Sequence, residues 1–146
     1  MTARGIQVLV VEDDPVMRSA YGEMLRMWGF QTRAVHNGLA ALLEIRRAEP
    51  DIVLSDLEMP GMNGYELLSV LRRLYPEIRT IAMSGTYSGE RVPPGVAADA
   101  FYAKGTGQSS QLLSILIELA SAASGGTYFV ERDLNQRPSH PPAAGR

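Results

Sequence analysis

The sequence predicts an α/β fold, a parallel β-sheet with helices on both faces. Short apolar runs of strand length recur at 6–11, 51–56, 79–84 and 100–104. They alternate with longer segments whose apolar residues repeat at spacings of three and four. Strands joined by helical crossovers pair in parallel, and the crossovers cover both faces of the sheet.

Each element has a local reason. "IQVLVV", 6–11, is almost continuously apolar, as a strand covered on both sides should be. Asp14 followed by Pro15 reads as an N-cap and a first-turn proline. The helix they open carries Met17, Ala20/Tyr21, Met24 and Trp28 on one side and stops at Gly29. "FQTRAVH", 30–36, alternates weakly, which suits a strand nearer an edge. Asn37-Gly38 reads as a turn, and "LAALLEIRRA", 39–48, as a helix ending before Pro50. "DIVLSD", 51–56, is a second buried strand. The Pro and Gly of "LEMPGMNG", 57–64, mark a loop, and 65–75 is a helix with Leu67/Leu68, Leu71 and Leu74 on one face. "RTIAMS", 79–84, and "AFYAK", 100–104, are the remaining strands, and 111–123 is the last helix, with Leu112, Leu116, Leu119 and Ala123 at helical spacing. From Gly125 the chain becomes glycine- and proline-rich, so 1–124 is expected to be the folded domain and 125–146 a flexible or partner-binding tail.

Composition narrows the function classes. The 146 residues suffice for one domain with a real core. With 45% apolar and 21% charged residues, the balance is that of a globular chain. A net charge of −2 gives no electrostatic case for nucleic acid or an acidic membrane. The absence of cysteine removes disulfides, thiol nucleophiles and thiolate metal sites. "MTARGIQ" passes into the first strand without a signal-peptide apolar region, and no run is long enough to span a bilayer. A cytoplasmic location is the resulting expectation.

The chemistry lies at the strand ends. In an open parallel α/β sheet, ligands bind beyond the carboxyl ends of the strands. There the sequence places Glu12 and Asp13, then Asp56, Ser84 and Lys104. Adjacent carboxylates repel one another and are costly to desolvate unless a cation faces them. Clustered carboxylates with loop carbonyls are hard oxygen ligands suited to Mg²⁺. A carboxylate can also act as nucleophile and form an acyl phosphate, with a lysine and a hydroxyl supporting the transferred oxygens.

Four stretches, "VLVVEDD", "DIVLSDLEMPGMNGYEL", "IAMSG" and "DAFYAKG", make the chain resemble the receiver domain of two-component response regulators over about residues 5–124. The resemblance implies a doubly wound, flavodoxin-like sheet of five strands in the order 2-1-3-4-5. It implies that Asp56 is the phosphoacceptor, with Ser84 and Lys104 contacting the phosphoryl group. It implies Mg²⁺ held by Asp13, Asp56 and the backbone carbonyl of Glu58, with Glu12 acting through water. Phe101, three residues before the lysine, matches an aromatic that switches together with Ser84. The implied donor is a sensor histidine kinase or a histidine phosphotransfer protein. The output would be phosphorylation-dependent binding of a downstream protein, without nucleic acid or membrane. The chain would then be a stand-alone, single-domain regulator in a phosphorelay, an enzyme only toward its own phosphorylation and dephosphorylation.

The sequence departs from the family in two places. Gly105 follows Lys104 where receivers usually have proline. "GTYSGERVPPGVAADAFYA" separates Ser84 from Lys104, where receivers place a helix, and Pro93-Pro94-Gly95 cannot sit inside one. That helix is expected to be short, distorted or absent. This slightly favours the alternative of a phosphorylation-independent interaction module that keeps the receiver fold, while the intact acidic site argues against it. A third reading, a Mg²⁺-dependent phosphatase with Glu58 as second acid, conflicts with the other receiver motifs. His36 and His140 read as structural or tail residues, Met59 and Met62 as packing or loop residues. "TYFVE", 127–131, is compatible with a strand that pairs with a partner or folds back.

Overall fold

The structure is a computed structural model that describes residues 5–87, 89, 91–105 and 108–123. In chain order the elements are β1 (Gln7–Val11), α1 (Pro15–Met27), β2 (Gln31–Val35), α2 (Gly38–Arg47), β3 (Ile52–Asp56), α3 (Gly64–Leu74), β4 (Arg79–Ser84), β5 (Ala100–Ala103) and α4 (Ser109–Ala123). The five strands form one parallel sheet in the order β2-β1-β3-β4-β5. The expected architecture and strand order are therefore present. The tail at 125–146, with "TYFVE" and His140, lies outside the described residues.

The burial of each strand follows its place in the sheet. All five residues of the central β3 are buried. β2 lies at an edge and holds only exposed and half-buried positions, which explains its weak apolar pattern. Its Arg33 is tied to α2 by an ion pair with Glu44, which also pairs with Arg47 at 2.6 Å. One apolar layer joins Val8, Val10, Leu54, Ile81 and Met83 to α1 and α4 through Tyr21, Leu25, Leu112 and Leu116. On the opposite face Leu9, Val11, Val53, Ala82 and Phe101 pack with Ala41, Ile45, Leu67, Leu68 and Leu71 of α2 and α3.

Caps set the helix starts. Asp14 accepts from the Val16 and Met17 amides at 2.9 and 3.4 Å, as its reading as N-cap requires. Asn37, read from sequence as part of a turn, is the N-cap of α2 and accepts from Ala40 N at 2.7 Å. Asn63 caps α3 in the same way, through Glu66 N at 3.0 Å. At the C-terminus of α1, Gly29 takes φ +101°, which only glycine adopts without strain.

No helix forms between β4 and β5 among the described residues. Val92, Val96 and Ala98 of this connection pack on the α2/α3 layer. Pro93 O accepts from Val96 N at 3.2 Å, closing a turn around Gly95, φ +83°. The proline pair that excludes a helix thus belongs to a turn whose flanking valines supply the apolar cover.

Candidate metal and phosphoryl site

The register brings the polar strand ends level. Val11 pairs with Ser55, Asp56 with Met83, and Ser84 with Ala103, so the residues that end or follow β1, β3, β4 and β5 share one edge of the sheet. Gly64 lets α3 start directly against this edge. A Cβ there would lie 2.1 Å from the Asp56 carbonyl oxygen, so no other residue fits. Its amide donates to Leu57 O at 3.0 Å and fixes the end of the loop that follows Asp56.

Lys104 is the centre of the charge arrangement. Its Nζ lies 3.0 Å from Glu12 Oε1 and 3.2 Å from Asp56 Oδ2. Glu12 and Asp56 are 1% and 4% exposed, so both would be costly to ionise without the ammonium. Burial pushes the carboxyls of Glu12 and Asp56 above their usual range, and the contact with Lys104 only partly opposes this. For Lys104, burial works to lower the pKa, but the two carboxylates outweigh it and hold the ammonium above its ordinary value. Lys104 is the only lysine of the chain.

Asp13 differs from its neighbours. It is exposed, and its carboxylate accepts no hydrogen bond among the described residues. One carboxylate oxygen each from Glu12, Asp13 and Asp56 lies within 4.8 Å of the others. Three carboxylates against one ammonium leave an excess of negative charge. The unpartnered Asp13 oxygens face that excess with their lone pairs free. This donor set fits a hard divalent cation such as Mg²⁺.

Ser84 is a hydrogen-bond hub. Its hydroxyl donates to the Glu58 carboxylate, at 3.1 Å from Oε1 and 3.0 Å from Oε2. It accepts from the Thr86 and Tyr87 amides at 2.9 and 3.3 Å. Tyr87 lies edge-to-face on Phe101, ring centroids 6.4 Å apart, and its hydroxyl is 3.3 Å from that of Tyr65 on α3. Phe101 itself is buried in the β5 core rather than lining the acidic cluster. His36 is exposed just beyond β2.

Glu12, Asp13, Asp56 and Lys104 therefore come together as their strand-end positions predict, and Ser84 ends β4 on the same sheet edge with its hydroxyl on Glu58. Two contacts have no counterpart in the sequence reading. The Glu58 side chain, read for its backbone carbonyl and as the second acid of the phosphatase alternative, engages Ser84 instead. Arg18, a residue outside the four receiver-like stretches, donates from Nη1 to Glu12 O at 2.9 Å and Asp13 O at 3.3 Å. Its place four residues after the N-cap Asp14, where a long side chain can reach back over the loop, is the available signal.

The fold and the site together define an α/β protein with an aspartate at the end of its central strand, facing an acidic cluster and a lysine. A family model for the response regulator receiver domain matches residues 8–103, and the chain belongs to this family. The chain is 38% identical over 78 residues to the response regulator protein FleR of Pseudomonas aeruginosa, covering 53% of this chain and 16% of FleR. It is 36% identical over 78 residues to sporulation initiation phosphotransferase F of Bacillus subtilis, covering 53% of this chain and 63% of that protein. The match thus spans less than two thirds of either relative. Among solved structures, the response regulator TrrA of Thermotoga maritima in complex with Mg²⁺ and BeF superimposes with a TM-score of 0.71 at 29% identity, over 77% of this chain and 97% of TrrA. TrrA has also been solved in complex with the histidine kinase ThkA. No helix among the described residues is long and apolar enough to cross a membrane.

Proposed function

We propose that this chain is a phosphoacceptor regulator, with Asp56 receiving a phosphoryl group from the phosphohistidine of a sensor kinase or phosphotransfer protein. The observation that carries this reading is the position of Asp56. It is buried at the end of the central strand, 3.2 Å from Lys104 and within the acidic cluster. In the transfer, an Asp56 carboxylate oxygen forms the new O–P bond while the N–P bond of the donor breaks, and the imidazole nitrogen leaves with the bonding pair. Lys104 carries the positive charge that the transferred oxygens need, and Ser84 the hydrogen bond. The Asp13 and Asp56 carboxylates and the Glu58 carbonyl would hold Mg²⁺, with Glu12 acting through water. Mg²⁺, when bound, neutralises charge on the phosphoryl oxygens. The complexes of TrrA with Mg²⁺ and BeF and with a histidine kinase support this assignment by similarity.

On this reading residues 1–124 are the receiver and 125–146 a tail. The protein works in the cytoplasm and signals by binding another protein, with no role for nucleic acid or membrane. Ser84 and Phe101 form the switch that changes the surface. The absence of a helix among the described residues between β4 and β5 slightly favours a second reading, a module that binds its partner without phosphorylation. Intact mass after incubation with a small phosphodonor and Mg²⁺ decides between the two. The expected result is one added phosphoryl group, labile in acid, on wild type and none on Asp56→Asn. A folded wild-type protein that takes up no phosphoryl group would establish the second reading, and equal labelling of the variant would remove Asp56 as the acceptor.

A further inference from the structure

Arg18 stands in the first turn of α1, and its amide donates to Asp14 O at 2.8 Å. Its side chain turns back over the loop between β1 and α1. There a single nitrogen, Nη1, donates to the carbonyl oxygens of Glu12 and Asp13, at 2.9 and 3.3 Å. These two residues supply two of the three clustered carboxylates. Arg18 makes no ion pair among the described residues, so its contacts are with main-chain dipoles rather than with the acids themselves.

The two acids depend on this clamp to different degrees. Glu12 is fixed independently, because its amide donates to Val35 O at 3.1 Å and its carboxylate meets Lys104 and the Asp14 amide. Asp13 has no such ties. Its carboxylate is exposed and unpartnered among the described residues, so its direction is inherited from its backbone. Among those residues, Arg18 is the side chain that holds that backbone. We infer that Arg18 is a positioning residue for the divalent-cation site: it locks the Glu12–Asp13 main chain and thereby keeps the Asp13 carboxylate beside Asp56. The inference rests on the metal-dependent reading of the site.

The sign of the effect separates this role from simple charge. A guanidinium near a cation site repels the cation, so a purely electrostatic Arg18 would weaken Mg²⁺ binding and its removal would tighten it. A positioning Arg18 does the reverse, because a ligand whose support is lost must be ordered at the expense of binding. A residue that only stabilises the helix start would change the melting temperature and leave Mg²⁺ affinity alone.

The test is calorimetric titration of the full chain with Mg²⁺ for wild type, Arg18→Met, Arg18→Lys and Asp13→Asn, with melting curves for each. Arg18→Met is expected to weaken Mg²⁺ about tenfold, in the range seen when the support of a metal ligand is removed. Arg18→Lys, which keeps the charge and can reach one carbonyl, should recover part of the loss. If Arg18→Met does not fold, Arg18→Lys carries the test, with a smaller weakening expected. Mg²⁺ affinity that is unchanged or tighter in the folded Arg18 variants, while Asp13→Asn loses binding, would overturn the role of Arg18 alone. Absence of Mg²⁺ binding in wild type would overturn the metal-dependent reading beneath it.

Discussion

The Ser84 hydroxyl donates to the carboxylate of Glu58, 3.1 and 3.0 Å from its two oxygens. The group expected to follow an incoming phosphoryl oxygen is therefore already engaged by an internal anion. A hydrogen bond to a charged acceptor is stronger than a neutral one, and Ser84 must leave it to serve a phosphoryl group.

Glu58→Ala should release this restraint. The exchange of one partly exposed charge-assisted hydrogen bond is worth about 1 kcal/mol, so labelling of Asp56 by a small phosphodonor should speed up about fivefold. The same change also removes a negative charge from the approach to the site, which acts in the same direction. Ser84→Ala should label more slowly than wild type, and adding Glu58→Ala to it should bring little of that gain. Rates from intact mass over time check this; an equal gain in both backgrounds would show that Glu58 acts by charge alone.

Removing the ammonium should expose the cost of the buried acids. Lys104→Met leaves Glu12 and Asp56 side by side without their partner, and breaking such a pair costs several kcal/mol when it is fully buried. Lys104 keeps some contact with water, so a loss of about 2 kcal/mol at pH 7 is expected. Both carboxyls are already raised above their usual range by burial. A raised folded-state pKa means that the folded protein binds the proton more tightly than the unfolded chain, so acidification toward the unfolded value favours folding. The variant should therefore regain stability relative to wild type between pH 7 and pH 5. Urea midpoints at the two pH values test it, and a difference that stays constant or widens at pH 5 would contradict the ion-pair account.

Mg²⁺ binding should distinguish the two acids that follow β1. Asp13 presents an exposed carboxylate, unpartnered among the described residues, whereas the Glu12 carboxylate is buried against Lys104. Mg²⁺ keeps most of its waters and takes few direct protein ligands. Asp13→Ala should weaken Mg²⁺ more than Glu12→Ala does, and the reverse order in a titration would reassign the direct ligand.

Much of this architecture is legible in the sequence because buried parallel strands are nearly continuous apolar runs. Each ends where a polar side chain marks the sheet edge, as at Asp56 and Ser84. The missing helix was legible from Pro93-Pro94-Gly95, since proline denies a helix both donor and space. Asn37 and Asn63 were harder to read. Asparagine serves turns and N-caps through the same side-chain oxygen, so the true start of α2 fell inside an apparent turn. The pairing of Lys104 with Glu12 joins residues 92 apart in sequence, and its geometry follows only from the register of the sheet. The Glu58–Ser84 bond depends on the rotamer of a long side chain, for which neither periodicity nor spacing carries a signal, and the place of Arg18 four residues after Asp14 permits its clamp without specifying it.

The connection after β4 should report on Ser84 through two amides. Thr86 and Tyr87 donate to Ser84 Oγ, and Tyr87 in turn rests on Phe101 and reaches Tyr65. Among the described residues of this segment no helix protects the backbone, so these two contacts set the local stability of its start. In Ser84→Ala the amides lose their acceptor, and hydrogen exchange at Thr86 and Tyr87 should rise about tenfold, the equivalent of about 1.4 kcal/mol. In wild type, phosphorylation that draws the Ser84 hydroxyl toward Asp56 should change exchange at the same two amides, and Ser84→Ala should abolish that response while Asp56 still becomes labelled. Tyr65→Phe supplies a control along the same path: it removes the hydroxyl contact on α3 and should alter exchange at Tyr87 more than at Thr86. If exchange at both amides is the same with and without the phosphoryl group, the signal does not leave through Ser84, and the surface of α1 becomes the next place to measure.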